Sequence, residues 1–417
     1  NGANWQGGSA PNAGDDLIFQ ANASVDPTSL INTNNYANGT AFRSITFTTG
    51  ASGYKLDGNS IQIGSAGGTG LVSDSTSANQ VNLALILAGA QSFKASAAGG
   101  PLLVSGSINL NGHNLTNEVT VAAGLMEIGY PNGLISGTGN LYKSGSGELL
   151  LSGLTANTYL GSTYVLAGAL TLNDGAGGSV NMITGDAFIS AGASLIVSSE
   201  NNEIPDTANI TVYGTSTSSG KLVLESANET IGSLTLSGGG DVDTGTGTLT
   251  LGGNVSASAS YTGILERNSA SIIGNLSLGA STRTFSVVPN NFVSPELSIL
   301  ANVSGSAGAG IIKTGSGEMR LAGTNTYTGF TAVSNGWLYA AGPAPLGSGT
   351  AGLSLDGGDL RLDTATITNK WLTNSIVGTL IRVSASTDSI WKSNVVLLAD
   401  CTIEVQTNAT WNIIGVI

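Results

Sequence analysis

The sequence predicts an all-β fold, a β-solenoid of roughly 20-residue coils, on three observations. Short runs alternate aliphatic and polar residues, which puts every second side chain on one face of a strand. Each run is entered through a glycine, and the runs return at intervals near twenty residues. No stretch shows a sustained 3.6-residue period with helix caps.

The strand element is Gly, any residue, aliphatic, any residue, aliphatic. It recurs as GSINL at Gly106, GELLL at Gly147, GALTL at Gly168, GSLTL at Gly232, GTLTL at Gly247, GNLSL at Gly274, GEMRL at Gly317 and GDLRL at Gly358, and KLVL follows Gly220. Where the series is unbroken the spacing is 21 (147 to 168), 19 (317 to 336) and 22 (336 to 358). A sandwich would also space strands by turns, but it would close and restart, whereas this pattern runs from about residue 40 to about 365 without a linker. Coiled throughout, the chain would make about 20 coils. Residues 1–40 read as an N-terminal entry or cap, 41–365 as the continuous solenoid, and 366–417 as a C-terminal β-rich segment serving as an assembly or docking end.

Two longer units repeat within this pattern. KSGSGELLLSGLTANTYLGSTYVLAGALTL from Lys143 matches KTGSGEMRLAGTNTYTGFTAVSNGWLYA from Lys313, so that residues 143–172 and 313–340 are strong copies. Lys143 pairs with Lys313, Glu148 with Glu318, Tyr159 with Tyr327, Thr163 with Thr331 and Gly168 with Gly336. A looser pair joins the segment from Arg43 to the segment from Ile231. Lys313 to Gly317 has the residue types of a phosphate loop, but Lys comes first and a strand follows, so the glycines are expected to turn a corner.

The signature, a Lys-Thr-Gly-x-Gly turn, an alternating strand, Asn-x-Tyr-x-Gly-x-Thr and a closing Gly-x-Leu strand, resembles the autotransporter-associated β-strand repeat of bacterial surface and secreted proteins. NWQGGSAPNAGDDLIF, from Asn4, is similar to the segment that introduces such repeats. The resemblance implies a right-handed parallel β-helix exported to or beyond the cell surface, and it implies no catalytic residue. No C-terminal membrane barrel with amphipathic strands is evident, so a processed or fragmentary extracellular piece is expected.

Composition narrows the function. Charged residues are only 9%, and 13 Lys+Arg against 26 Asp+Glu give a net charge of −13, which repels nucleic acid and anionic membranes. The longest apolar run, Val81 to Ala90, is too short to span a bilayer, so no membrane insertion is expected. The single cysteine, Cys401, cannot form an internal disulfide and reads as a buried small hydrophobe. His113, the one histidine, sits in a turn-like context, which leaves histidine catalysis and histidine metal sites without a second member.

Parallel β-helices can carry carboxylates on an exposed strip for polysaccharide cleavage. The candidate acids are Asp15 and Asp16, Asp241 and Asp243, and Asp356, Asp359 and Asp363 with Arg361 among them; solvated turn positions are the plainer reading of each. Asp241 and Asp243 alternate to one face but lack the repeated glycine-aspartate beat of calcium solenoids. Lys143 with Glu148 and Lys313 with Glu318 read as exposed pairs across a turn. Tyr159 and Tyr327 read as corner packing. Nine Asn-x-Ser/Thr sequons, Asn22, Asn38, Asn254 and Asn408 among them, are what a chain this rich in Asn, Ser and Thr holds by chance.

The expectation is a non-enzymatic extracellular structural protein with no cofactor and no metal: a filament or surface-array subunit, or an adhesin stalk. Its expected partner is itself, with surface glycans second. The apolar end, Trp411, Ile413, Ile414, Val416 and Ile417, is the expected assembly end. A carbohydrate-active β-helix enzyme or glycan-binding module is the alternative.

Overall fold

In the computed structural model, the alternating runs become strands whose inward side chains are aliphatic and outward ones mostly polar. In Glu148–Ser152, Leu149 and Leu151 are fully buried while Glu148 and Leu150 face outward. The structure describes residues 5, 8–21, 30–64, 68–175, 180–198, 201–261, 267–290, 292–368, 370–384 and 387–415. No α-helix occurs among them, and parallel strands stack as successive coils of a β-solenoid, about 16 turns in all. Backbone hydrogen bonds run from coil to coil, so every coil satisfies the polar groups of its neighbours.

The chain divides into two compact units. The first comprises Asn1–Phe188 with Ala193–Pro205, the second Ile189–Gly192 with Asp206–Ile417. In the first unit six successive coils have three walls of strands. The first wall begins where Asp16–Phe19 pairs with Ser44–Phe47 and continues to Leu141–Ser144 and Thr163–Val165. The second runs from Ile31–Asn34 with Lys55–Gly58 to Glu148–Ser152 with Gly168–Asn173. The third is a six-stranded sheet from Thr40–Phe42 to Thr158–Leu160. Because register is kept from coil to coil, one inward column of the first wall reads Leu17, Ile45, Leu71, Phe93, Asn117, Lys143, Val165. A buried aliphatic or aromatic side chain in such a column contributes about 1.5–3 kcal/mol.

The second unit also has two long walls of parallel strands and builds the rest differently. Asp241–Leu251 and Ala270–Ser277 are long strands that turn a corner through a register shift between Asp243 and Thr248. Two short antiparallel hairpins leave the coils, Ile210–Thr215 with Ser218–Ser219 and Ser260–Tyr261 with Arg267–Asn268. A three-stranded sheet of Thr366–Ile367, Asp388–Trp391 and Thr410–Ile413 forms another wall. Its equivalent of the lysine column reads Val255, Phe285, Lys313, Val333, Leu355, Asn374.

The coil is longer than the glycine beat in several places. Leu353 pairs with Leu372, but Val255 pairs with Phe285, so a coil takes between 19 and 30 residues. The strong repeat copies supply short coils (Leu141 with Thr163, Ile311 with Thr331), whereas the coil from Val255 holds one of the hairpins. Hence about 16 turns replace the expected 20.

Candidate functional site

The repeat signature is an internal corner clamp. In the first copy, Lys143 is completely buried, and its Nζ donates to the carbonyl oxygens of Ser144 (2.8 Å), Gly145 (2.8 Å) and Ala167 (3.0 Å). In the second, Lys313 is equally buried and donates to Thr314 (2.9 Å), Gly315 (2.6 Å) and Asn335 (3.0 Å). Three acceptors match the three donors of an ammonium. Burial pushes both lysines down to about 8, opposed by Glu148 at the first site and by Glu296 and Glu318 at the second. The expected exposed Lys–Glu pairs are therefore not formed: the lysines point inward because their strand positions are core positions. The glutamates bond elsewhere. Glu148 accepts the Thr171 hydroxyl, and Glu318 accepts the Ser294 hydroxyl and lies 3.6 Å from Arg361.

The turn glycines are required by geometry at two kinds of position. Gly145 and Gly315 have φ of 75° and 73°, a region that disfavours side chains. Gly168 and Gly336, at φ 67° and 68°, lie so close to the preceding corner that a Cβ would sit 2.4 Å from Gly147 O and 2.5 Å from Gly317 O. The phosphate-loop likeness thus dissolves into a stack of corners.

Asparagine and tyrosine complete the clamp. Asn157 accepts the Ile135 amide at 2.7 Å and donates to Met182 O at 2.6 Å, tying the preceding coil to the following one. Asn325 repeats this with Val303 N at 2.8 Å and Pro345 O at 2.7 Å. Tyr159 and Tyr327 are fully buried, and their hydroxyls share hydrogen bonds of 2.5 and 2.7 Å with Thr163 and Thr331. Burial pushes Tyr159 up to about 12 and Tyr327 further. Neither ring can stack on a ligand.

The sequence missed other members of this interior. Lys370 is 1% exposed, donates to Gly329 O at 2.6 Å and lies 5.2 Å from the Tyr327 ring centre. Burial sets it at about 8 too. Corner asparagines are also used: Asn38, Asn114, Asn209, Asn254 and Asn302 each accept a backbone amide of the following coil through Oδ1. Each of these opens an Asn-x-Ser/Thr sequon, so the sequons mark corners. Asn22 lies outside the described residues.

The candidate acids divide. Asp15 accepts the Asn12 amide at 2.8 Å, and Asp16 pairs with Arg43 at 3.1 Å. Asp241 and Asp243 do share an outer face, but Asp241 accepts the Ser271 hydroxyl and Asp243 the Gly245 amide. No cluster of three metal-ligating side chains occurs among the described residues. His113 follows the turn at Asn111 and Gly112 and closes it, its backbone amide donating to Leu110 O at 2.9 Å. Cys401 is half-buried, not buried, because it lies in the inward column after Thr379 with no further described strand covering it. Among the C-terminal residues, Trp411 and Ile413 lie in the strand Thr410–Ile413 and Ile414 is 61% exposed, while Val416 and Ile417 fall outside the described residues.

Asp359, Arg361 and Asp363 are brought together with aromatics on the outer face of the second unit. Register aligns Arg320, Tyr339, Arg361, Arg382 and Glu404 in one column, with Glu318, Trp337 and Asp359 in the next. Arg361 lies 4.4 Å and Arg320 5.2 Å from the Tyr339 ring centre, and Arg382 lies 5.1 Å from that of Trp337. The carboxylates are engaged within this face. Asp359 accepts the Leu380 amide at 2.7 Å, Asp363 accepts the Tyr339 hydroxyl, and Glu404 pairs with Arg382 at 2.9 Å. Asp356, outside the strand, accepts from Ser354 and Ser375. Reading motifs singly could not find this column, whose members lie 19 to 22 residues apart.

Residues 141–172, 242–265 and 311–340 match the family described as passenger-associated-transport-repeat. The first and third are the two strong copies; the middle one was visible only as part of a looser unit, and its last four residues lie outside the described ones. An alignment over 333 residues that covers 64% of the chain is 28% identical to the Adhesin BmaC autotransporter of Brucella suis biovar 1 (strain 1330), and the chain spans 9% of that relative's length. No solved structure matches. The corner clamps of the two strong copies fall within two of these matched segments, and the chain is a β-solenoid that in those segments is similar to passenger-associated-transport-repeats.

Proposed function

We propose that the chain is a non-enzymatic scaffold of the bacterial exterior, secreted or displayed at the cell surface, which works as part of an adhesin-like stalk. The observation that carries this is the use of the signature: Lys, Asn, Tyr, Thr and Gly of each strong copy are consumed in tying coil to coil, leaving the outer faces to vary as contact surfaces. The similarity to an autotransporter adhesin supports the same reading. Saturable binding of the purified chain to epithelial cell monolayers, without release of reducing sugar from acidic polysaccharides, is the expected result. Release that Asp359→Ala abolishes would overturn it and favour the enzymatic alternative, for which the grouping of Trp337, Tyr339, Asp359, Arg361 and Asp363 is the one structural support.

End-to-end association is the finer part of the proposal. Ile403 and Val405 in the strand Cys401–Val405 are 43% and 47% exposed, and Ile414 beyond it is 61% exposed, so a strand of a second copy could add to this end. Sedimentation that finds only monomer across a wide concentration range would sink this part and leave the scaffold reading intact.

A further inference from the structure

An outer column of the first wall in the first unit changes character partway along. Register places Thr69, Ser92, Thr116, Tyr142 and Tyr164 on successive coils. The aromatic part is a ladder: Tyr142 and Tyr164 stack with ring centres 4.8 Å apart at 11°, and Tyr164 and Phe188 at 4.9 Å and 12°. This spacing equals the rise of about 4.8 Å between neighbouring parallel strands, so each ring fills one coil. On the other side of Tyr142 the column continues with small hydroxyl side chains, and the next position carries no ring.

A shallow, widely open groove lies at that place, lined by Gly68, Ala90, Gln91, Ser92, Asn114, Thr116 and Tyr142. One flat ligand ring over Thr116 would extend the ladder by one step. The lining is uncharged, and Ser92, Asn114 and Thr116 bring hydrogen-bonding groups beside the Tyr142 ring. An anionic ligand would find no cation among them, in a chain of net charge −13. The Gln91 side chain belongs to the interior instead: it alternates inward with Phe93, and its amide nitrogen donates to Gly64 O at 3.2 Å. Gly70 is an extra residue where the register shifts between Ser92 and Phe93.

We propose that this groove binds a neutral pyranose unit of an oligosaccharide. The apolar C–H face of the sugar stacks on the free face of Tyr142, and its hydroxyls bond to Ser92, Thr116 and Asn114. Tyr142 supplies stacking and the polar groups supply orientation, the usual division of labour in a small-ligand site. The proposal rests on the adhesin-like reading and names a ligand class for it.

The test is calorimetric titration of the full chain with cellohexaose, maltohexaose, chitohexaose and, as an acidic comparison, oligogalacturonate. At least one neutral hexasaccharide is expected to bind saturably and oligogalacturonate not at all. Tyr142→Ala should weaken that binding about tenfold, and Tyr142→Phe should retain it. Thr116→Tyr, which places a ring in the open position, should abolish binding with the melting profile unchanged; Ser92→Tyr fills the groove from the next coil and serves if the first variant does not fold. Absence of binding by every neutral sugar, binding of the acidic sugar alone, or binding that survives both filling variants would overturn the proposal. If the chain still binds cell monolayers while no sugar binds, the groove fails and the adhesin-like reading stands.

Discussion

The two strong copies of the repeat have the same interior bonds within differently built walls. Residues 141–172 lie in the first unit and 311–340 in the second, yet lysine, asparagine, tyrosine and threonine make matching hydrogen bonds in both. Around them the copies diverge. Thr158–Leu160 is a regular strand of a six-stranded wall, whereas residues 326–328 form no strand. There the Thr326 and Tyr327 amides both bond to Val303 O, at 2.8 and 3.3 Å, and Lys370 reaches in beneath Tyr327. The signature therefore specifies the corners of a coil, and the wall between corners can be strand or loop.

If that is right, equivalent corner substitutions should be equally harmful in both copies. The largest effect is expected from Gly168→Ala and Gly336→Ala, where a methyl must enter a positive-φ position 2.4–2.5 Å from a carbonyl oxygen. Strain and overpacking together should cost about 4 kcal/mol at each. Because a solenoid loses coils locally, hydrogen exchange on the flanking strands is the appropriate measure. Loss of protection in one copy but not the other would break the equivalence.

Lys143→Met and Lys313→Met come next. Methionine keeps most of the volume but removes all three donors, leaving buried carbonyl oxygens unsatisfied at a cost of about 2–3 kcal/mol. Equal loss of protection around Glu148–Ser152 and Glu318–Leu321 is expected. A neutral or stabilising result at either site would show that desolvating the ammonium outweighs its bonds.

The coil architecture was legible because alternation and glycine corners are local and repeat, so each copy corroborates the other. Lys143 and Lys313 were recognised as repeated but placed outside, since lysine is seldom fully buried. Their inward direction was nevertheless present in the strand phase: Lys143 alternates with the buried Leu141, and Lys313 with the buried Ile311. The columns Arg320–Tyr339–Arg361–Arg382 and Thr116–Tyr142–Tyr164 were not legible, because they join residues one coil apart and coil length varies between 19 and 30. Corner loops of variable length hide which residues share a column until the register is known.

The mildest probe separates the two units by pH. Lys143 in the first unit, and Lys313 with Lys370 in the second, are pushed by burial from the ordinary lysine value of 10.5 to about 8. A group whose pKa falls on folding binds fewer protons in the folded state, so between about pH 8 and 10.5 the unfolded chain holds more protons and stability rises with pH. Above pH 10 the sign reverses at the tyrosines: Tyr159 and Tyr327, held protonated when folded, ionise on unfolding and oppose the gain. The expected stability maximum therefore lies near pH 10, with the steeper rise in the second unit, which holds two such lysines. Site-resolved unfolding followed from pH 7.5 to 10 by protection from proteolysis would measure this. Lys370→Met should bring the slope of the second unit down to that of the first, and an unchanged slope would show that Lys370 keeps its proton through the carbonyl of Gly329 and the ring of Tyr327.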